Sequence, residues 1–367
     1  MSSLVFVMRH SDGHVPLLWL NDLAQGLGHR GWSVTLVTPR CPSTPRLPLH
    51  PETNLVILDT VFFGWPRPRH WRQLLRKLDS PIIVQSCDLQ AHLWSRLYPP
   101  PHSSVIYLSL YLDFPPGGNL AAKTLRYLHR HDTCICSPFT NVIKRLHAFG
   151  MPQDKLALLP LGIRPPGGPT RESPAWRTAW QFPESSKLIV ALVHFQAVSQ
   201  IKTVLWALDI LRYAYPQVHL VALGLGDIIE PWTHFLHQLH LDDYVTLIQG
   251  LEDLVSWLAA ADIIWVTADI LHPWFFVGLG QLLGKPVIAF DSPLMRELIE
   301  PAENGFHVPA HDPVSLARQT LLLLENGELV SHITRHLEHY GTKHLDFDNC
   351  LDTLEQLYHA ALSRRLS

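Results

Sequence analysis

The sequence lacks both a long apolar run and a strong net charge. A helix that crosses a bilayer needs about 20 consecutive apolar residues, and no run in this chain approaches that length. The first apolar run, within residues 1–13, is too short for a signal-peptide core. With 29 basic and 32 acidic residues, a net charge of −3, the chain has no strongly basic domain of the kind that binds nucleic acid. We therefore expect a cytoplasmic protein with no nucleic-acid partner and at most peripheral contact at the inner face of the membrane.

Cysteine is scarce and follows no framework. The chain has five cysteines, Cys41, Cys87, Cys134, Cys136 and Cys350. An odd, scattered set does not form a disulfide scaffold, which favours a reducing compartment. Cys134 and Cys136 lie in the run TCICS, where strand alternation predicts a buried strand rather than a metal site. The 23 histidines show no recognisable metal-ligand spacing either, so we expect neither a metal nor another cofactor.

The chain does contain enough apolar material for two cores, because 47% of its residues are hydrophobic and only 17% are charged. Strand-like runs such as 3–8 and 33–39 alternate with helical patterns such as 16–30. This alternation predicts parallel sheets covered by helices. A segment dense in Pro and Gly, 159–174, interrupts the alternation and indicates a linker. The prediction is an α/β protein with two doubly wound halves.

Three stretches carry a resemblance to a known family. They are residues 26–40, 132–165 and 284–326, of which the last is long and ungapped. Within the second, residues 160–164 read Pro-Leu-Gly-Ile-Arg where the family has a Pro-Asn-Gly-Val-Asp turn. Over nearly its whole length the chain resembles the retaining glycosyltransferases of family four (group 1), which have the GT-B architecture.

This resemblance implies two Rossmann-like, doubly wound parallel-sheet domains that face each other across a cleft. It implies an acceptor-side domain at 1–165, a linker at 166–186, a nucleotide-sugar domain at 187–345, and a final helix at 346–367 that crosses back to the first domain. It also implies transfer of a sugar, of the hexosyltransferase type, from a nucleotide-sugar donor. The acceptor would be a glycan, a lipid-linked molecule or a small molecule, and the route retaining and metal-independent.

Glycines after strands are the candidate donor-binding residues. They are Gly13, Gly224, Gly226 and Gly250. A diphosphate needs backbone N–H groups that it can approach closely, and ligands of open α/β sheets lie beyond the carboxyl ends of the strands. A glycine after a strand is by itself usually a turn. Their recurrence in register with the resemblance makes them candidates.

The chain departs from the family where the leaving diphosphate gains charge. The family neutralises that charge with an arginine and a lysine rather than a metal, and here His194 and Phe195 stand at the arginine position. Lys202 lies near the lysine position, with a spacing about two residues longer than the family's. It is a candidate donor ligand, and the alternative of a solvated lysine at the start of a helix stays open.

The paired glutamates of the family are also absent. Counted back from the Gly-Lys-Pro-Val run, they would fall on Leu271 and Leu279. Asp269 could approach the donor sugar and is the candidate catalytic residue, although a capping or solvated aspartate is the alternative. Gln281 could bond a ribose hydroxyl or point elsewhere.

Two further departures are Pro293-Leu294, where the family has a glycine pair before a helix, and Leu110, where it has a sugar-contacting histidine. Asp113 is a nearby polar residue. Glu297 keeps its family position and is a candidate donor ligand, against the alternative of a helix-surface glutamate.

A basic segment in the first half could contact an acceptor or a membrane. Its candidate residues are Arg67, Arg69, Trp71, Arg72, Arg76 and Lys77. On a helix starting near Pro68, apolar side chains at 71, 74, 75 and 78 share one face, which gives a basic amphipathic helix suited to an anionic bilayer or a lipid-linked acceptor. The alternative is an ordinary surface helix packed on its domain.

The departures leave two functions open. One is an active glycosyltransferase. The other is a catalytically inactive, glycosyltransferase-like subunit that binds a glycan or a partner enzyme. Trp274, Phe275 and Phe276 could form its recognition surface, or they could simply belong to a core.

Overall fold

The computed structural model divides the chain into two compact units. The first contains 1–162 together with 346–367, and the second contains 163–345. The residues that the structure describes are 3–8, 15–39, 54–60, 66–97, 105–113, 118–166, 180, 182, 186–195, 197–226, 229–251, 253–267 and 272–366. The chain thus passes from one unit to the other at Gly162 and returns at Asp346. Most of the predicted linker lies outside the described residues.

Unit 1 is built on a seven-stranded parallel sheet. Its strands are β1 (Ser3–Val7), β2 (Ser33–Pro39), β3 (Asn54–Leu58), β4 (Ile82–Ser86), β5 (Val105–Leu110), β6 (Asp132–Ser137) and β7 (Leu156–Leu158). Its helices are α1 (Val15–His29), α2 (Pro68–Arg76), α3 (Leu89–Leu97), α4 (Asn119–Leu128) and α5 (Thr140–Ala148). The strand order is β3-β2-β1-β4-β5-β6-β7, with every pairing parallel. The order therefore reverses between β1 and β4.

Unit 2 repeats this plan with six parallel strands. They are β8 (Lys187–His194), β9 (Val218–Leu225), β10 (Val245–Gln249), β11 (Ile263–Val266), β12 (Val287–Phe290) and β13 (Gly305–Val308). The helices are α6 (Val198–Ala214), α7 (Glu230–Gln238), α8 (Leu254–Ala260), α9 (Pro273–Leu282), α10 (Met295–Leu298), α11 (Pro313–Glu325) and α12 (Gly327–His344). The order β10-β9-β8-β11-β12-β13 is that of a dinucleotide-binding doubly wound fold. The predicted α/β class with two parallel sheets is confirmed.

The strands are buried on both sides, as a sheet covered by helices requires. All residues of β1, β4, β11 and β12 are buried. Their runs of Val, Ile, Leu and Phe therefore show no alternation of apolar and polar residues. That continuity is what made them recognisable in the sequence.

The last helix, α13 (Phe347–Leu366), packs against unit 1. Arg30 at the end of α1 forms ion pairs with Asp348, Asp352 and Glu355. The fully buried Tyr358 donates a hydrogen bond to Gln85 Oε1 on β4. These contacts attach the final 22 residues, 346–367, to the first unit.

Candidate functional site

The carboxyl edge of the second sheet contains a topological switch point between β8 and β11. These strands are adjacent, but the helices that follow them lie on opposite faces. Ile263 and Trp265 of β11 share a core with α6. Ile264, which points the other way, would lie 2.9 Å from a Cβ at Gly280 of α9. Two helices that diverge in this way leave a crevice at the carboxyl ends of the strands, where ligands of open α/β sheets bind.

Helix α6 begins at this edge without a side-chain cap, whereas α9 begins with Pro273, which has no N–H, and its Phe275 N–H donates to the His272 carbonyl. The N-cap residue of α6 is Ala197, which provides no side-chain cap. The N-cap residue of α9 is His272, in the left-handed region with φ 52°, a conformation uncommon for a residue other than glycine. The first N–H groups of a helix are unsatisfied within it and favour an anion. The 17-residue α6 is long enough for its dipole to reinforce that preference.

Of the three described candidate glycines, Gly226 and Gly250 follow β9 and β10, whereas Gly224 lies within β9. Gly226 and Gly250 have φ values of 113° and 103°, which favour glycine. Gly250 N–H donates to the Gly224 carbonyl at 2.7 Å. A Cβ at Gly224 would lie 2.0 Å from the Val193 carbonyl oxygen. Strand packing alone therefore requires Gly224, whereas the turns at 226 and 250 lie at the open edge.

Lys202 and Glu297 each lie in a helix that follows a strand of this sheet. Lys202 is exposed in α6, after β8, and Glu297 is half-buried in α10, after β12. Within the described part of the chain Lys202 forms no ion pair, so its ammonium can serve a ligand. Neither residue belongs to the buried core.

The position of the family's arginine is filled by core packing. Phe195 is fully buried and packs against Trp232, with ring centroids 5.4 Å apart. The indole of Trp232 donates to the Phe195 carbonyl at 3.2 Å. The neighbouring His194 N–H donates a hydrogen bond to Gln200 Oε1 at 3.0 Å. This turn therefore presents neither a cationic side chain nor, at His194, an open backbone donor.

Helix α9 is apolar and buried from Trp274 to Gly280. Trp274, Phe275 and Phe276 are 0%, 5% and 1% exposed, so they are core residues and the suggested recognition surface is wrong. Leu279 is 4% exposed, and Gln281 Nε2 donates to the Leu298 carbonyl at 2.9 Å. Gln281 is thus turned toward α10 and is not placed to bond a ribose.

Three positions singled out in the sequence, Gly13, Asp269 and Leu271, lie outside the described residues. On the first sheet, Leu110 ends β5 with 0% exposure. Asp113 follows it and is exposed.

The basic segment forms α2, which begins at Pro68 as predicted. Its cations are exposed, namely Arg67, Arg69, Arg72, Arg76 and Lys77. Its apolar face is not, because Trp71 and Leu75 are 0% and 1% exposed and belong to the unit 1 core. The placement of Trp71 on an acceptor or membrane surface is therefore wrong, and the exposed residues that remain are mostly cationic.

A buried polar network in unit 1 had no counterpart in the sequence analysis. Asp132, at the start of β6, receives two hydrogen bonds from Arg96 at 2.9 and 2.8 Å. His129 Nδ1 lies 2.7 Å from the same carboxylate, and its Nε2 lies 2.6 Å from the hydroxyl of Tyr111. Arg96 holds the pKa of Asp132 well below its usual range, although burial opposes this, so the carboxylate stays ionised.

His92 extends the network toward β4. Its Nδ1 lies 2.6 Å from Ser86 Oγ, which also accepts from Arg96 at 2.8 Å. Burial, reinforced by the neighbouring His129 and Arg96, lowers the pKa of His92 well below its usual value. The clearest sequence signal was His92 and Arg96 at helical i, i+4 spacing, because Asp132 lies 36 residues beyond Arg96.

Among the described residues no group of three or more His, Cys, Asp or Glu side chains could hold a metal ion. No described helix is long and apolar enough to cross a membrane.

Comparisons with known proteins show which family and which folds this chain resembles. Residues 172–339 match the family described as "Glycosyl transferases group 1". A curated relative, an uncharacterized glycosyltransferase from Haemophilus influenzae, is 24% identical over 145 residues, which are 39% of this chain and 41% of the relative. The chain thus matches less than half of that relative's length.

Solved structures share the complete fold. A sucrose-phosphate synthase from Thermosynechococcus elongatus has a TM-score of 0.79 and 15% identity, over 99% of this chain and 100% of its own. Anabaena HepE in complex with UDP-glucose has a TM-score of 0.75 and 15% identity, over 98% and 99%. The GT-B fold and the resemblance to group 1 glycosyltransferases are confirmed.

Proposed function

We propose that this chain, whose residues 172–339 match the group 1 glycosyltransferase family, transfers a sugar from a nucleotide-sugar donor bound at the carboxyl edge of the second sheet. The transfer retains the anomeric configuration and needs no metal. The acceptor is a glycan, a lipid-linked molecule or a small molecule.

The switch point between β8 and β11 is the observation that supports this proposal. The donor diphosphate would accept hydrogen bonds from the first turn of α6, where an uncapped helix N-terminus offers N–H groups and a favourable dipole. The turns at Gly226 and Gly250 allow the backbone to approach a bulky diphosphate closely. Backbone groups therefore carry most of the donor binding in this chain.

Two side chains complete the proposed site. Lys202 neutralises the charge that develops on the leaving diphosphate as the glycosidic bond breaks. A cation placed where charge develops lowers the barrier, and removing one such group typically costs roughly 10²–10³-fold in rate. Glu297 accepts hydrogen bonds from donor hydroxyls. UDP-sugars are the first donors to test, because HepE was solved in complex with UDP-glucose.

A second candidate function is nucleotide binding without transfer. The buried Phe195 and the apolar α9 favour it, because they remove polar side chains from the edge where the leaving group must be stabilised. In that case the chain would act as a partner subunit of an active transferase.

The exposed cations of α2 are the proposed acceptor-side surface. With Trp71 buried, this surface can attract an anionic lipid or an anionic acceptor by charge but inserts no aromatic side chain into a bilayer. Lipid-linked acceptors that carry phosphate are therefore the first acceptors to assay.

The test is calorimetric titration of the full chain with UDP, GDP and ADP, each with and without an attached sugar. We expect one nucleotide to bind and its sugar conjugate to bind more tightly. Lys202→Ala and Glu297→Ala should weaken the binding roughly tenfold each, as expected for loss of one charged hydrogen bond. Arg318→Ala and Glu338→Ala, which remove exposed charges from other helices of unit 2, are the matched controls.

Transfer assays then separate the two candidates. Sugar transfer by the isolated chain that falls in Lys202→Ala supports the enzyme. Nucleotide binding without transfer to any phosphate-bearing lipid or glycan supports the partner subunit. Binding of no nucleotide would exclude both.

A further inference from the structure

We propose that unit 2 has a second ligand site, separate from the carboxyl edge of its sheet, that binds a monosaccharide phosphate. It is a pocket of about 310 Å³, here called the α12 pocket. Its walls are formed by Glu300, His336, His339, Tyr340, Lys343 and His344. Ligand pockets range from about 300 to 1,000 Å³, so this one has room for a single sugar unit. No residue of the proposed donor site lines it.

The phosphate would bind to the nitrogen groups of the pocket. Lys343 is exposed and forms no ion pair within the described residues, so its ammonium has donors to offer. His339 Nδ1 lies 3.2 Å from the Arg335 carbonyl oxygen and donates its proton there, so the phosphate would bind Nε2 of this ring, which donates when the imidazole is protonated. Three imidazoles and one ammonium border a small space, and the charge-assisted hydrogen bond from an ammonium to phosphate is among the strongest that side chains make.

The sugar ring would bind to the aromatic side of the pocket. The rings of Tyr340 and His344, one helical turn apart, have centroids 4.5 Å apart and an interplanar angle of 22°. The rings of His336 and Tyr340 have centroids 5.9 Å apart and an interplanar angle of 32°. These rings form a row along α12 that offers apolar faces and edges to the C–H groups of a sugar. The Tyr340 hydroxyl lies 3.5 Å from the Leu298 carbonyl, and burial raises the pKa of Tyr340 to about 12, so this hydroxyl stays protonated.

Glu300 determines which phosphate compound fits. Its carboxylate lines the same pocket and repels a bare anion, but it accepts hydrogen bonds from hydroxyl groups. Glu303, on the same turn, is already occupied by His332 and His336 at 2.9 and 3.5 Å. A ligand with hydroxyls at one end and phosphate at the other satisfies both sides of the pocket, whereas inorganic phosphate satisfies one.

The test is calorimetric titration of the full chain with glucose 6-phosphate and glucose 1-phosphate, alongside glucose and inorganic phosphate. We expect at least one sugar phosphate to bind, and the double variant His339→Ala/Lys343→Ala to weaken it at least about tenfold. Arg335→Ala removes an exposed cation from the same helix, outside the pocket, and should leave the affinity unchanged.

Several outcomes would overturn the proposal. Absence of binding by either sugar phosphate, or unchanged affinity in the double variant, would remove the site. Equal affinity for inorganic phosphate or for glucose would remove the sugar-phosphate assignment. Lys202→Ala distinguishes this site from the donor site, because it should leave sugar-phosphate binding intact. If Lys202→Ala abolished that binding, the ligand would lie at the sheet edge and not in the α12 pocket.

Discussion

The side chain of Asp132 is fully buried. Its carboxylate forms an ion pair with Arg96, which is 8% exposed, and a hydrogen bond with His129. Removing one partner of a buried ion pair leaves the other charge uncompensated, which costs about 3–5 kcal/mol. We predict a loss of this size in the free energy of unfolding for Asp132→Asn. Hydrogen exchange of the β4, β5 and β6 amides measures it, because those strands carry the network.

The control for Asp132 is Asp352→Asn in the same unit. Asp352 is 60% exposed and is one of three carboxylates around Arg30, so its substitution should change stability far less. Equal effects of the two substitutions would contradict the importance assigned to the buried pair. The pKa of Asp132 is lowered in the fold. Its contribution to the free energy of unfolding is therefore present above the unfolded-state pKa of about 3.9 and is lost as the pH falls below that value.

His92 gives unit 1 a second pH dependence of known sign. Its pKa is lowered in the fold, so below about pH 6.5 the unfolded chain binds a proton that the native chain does not. The free energy of unfolding therefore falls as the pH is lowered below this value, by up to about 1.4 kcal/mol per pH unit.

The corresponding variant is His92→Gln, which should make this decline shallower. The measurement is hydrogen exchange of β4 amides between about pH 6.5 and 5. His131→Gln, at an exposed position of the same unit, controls for the loss of an imidazole. Identical slopes for wild type and His92→Gln would show that His92 does not cause the decline.

At the scale of elements, the contact of α13 with unit 1 depends on a glycine. A Cβ at Gly162 would lie 2.4 Å from the Cβ of Cys350 and 2.9 Å from the Cα of Phe347. The Gly162 carbonyl also accepts from Trp19 Nε1 at 2.6 Å, so the segment cannot easily move away. Gly162→Ala should therefore destabilise unit 1 by about 1–3 kcal/mol, the usual cost of overpacking.

Gly28→Ala is the matched control for this contact. Gly28 lies in α1, and a Cβ there would meet nothing within 4 Å, so helix propensity should make the variant more stable by up to about 1 kcal/mol. Thermal unfolding of both variants tests the pair. A Gly162→Ala protein as stable as wild type would mean that α13 can shift without loss.

Helix α9 shows what an element's sequence can and cannot reveal. Its run of Trp, Phe, Val and Leu predicts burial, but a short apolar run is equally compatible with a strand, a core helix or a binding surface. In the structure this segment contacts β11, β12 and Ile163 of unit 2, which identifies it as a core helix. In α2, likewise, the sequence indicated an amphipathic helix, whereas packing of Trp71 against Trp94 at 5.0 Å decided that its apolar face belongs to the core.

At the scale of the whole molecule, the two parallel sheets followed from the alternation of strand and helix patterns, because each element buries a face set by its own local period. The turns at Gly226 and Gly250 were likewise visible, because the glycines after strands marked the open edge. The proposed function is a statement at this scale too. It rests on a crevice that only the strand order creates, and the nucleotide titrations test it there.

The sequence by itself determined the α/β class, the positions of most strands and the family resemblance, because these depend on periodicity and motifs along the chain. Only the tertiary structure decided that Phe195 and Trp274 are core residues, that Arg96 meets Asp132, and that α12 carries a pocket. These features join side chains from separate elements. Whether such a residue is buried, paired or open to a ligand depends on what packs against it, and no local pattern specifies that.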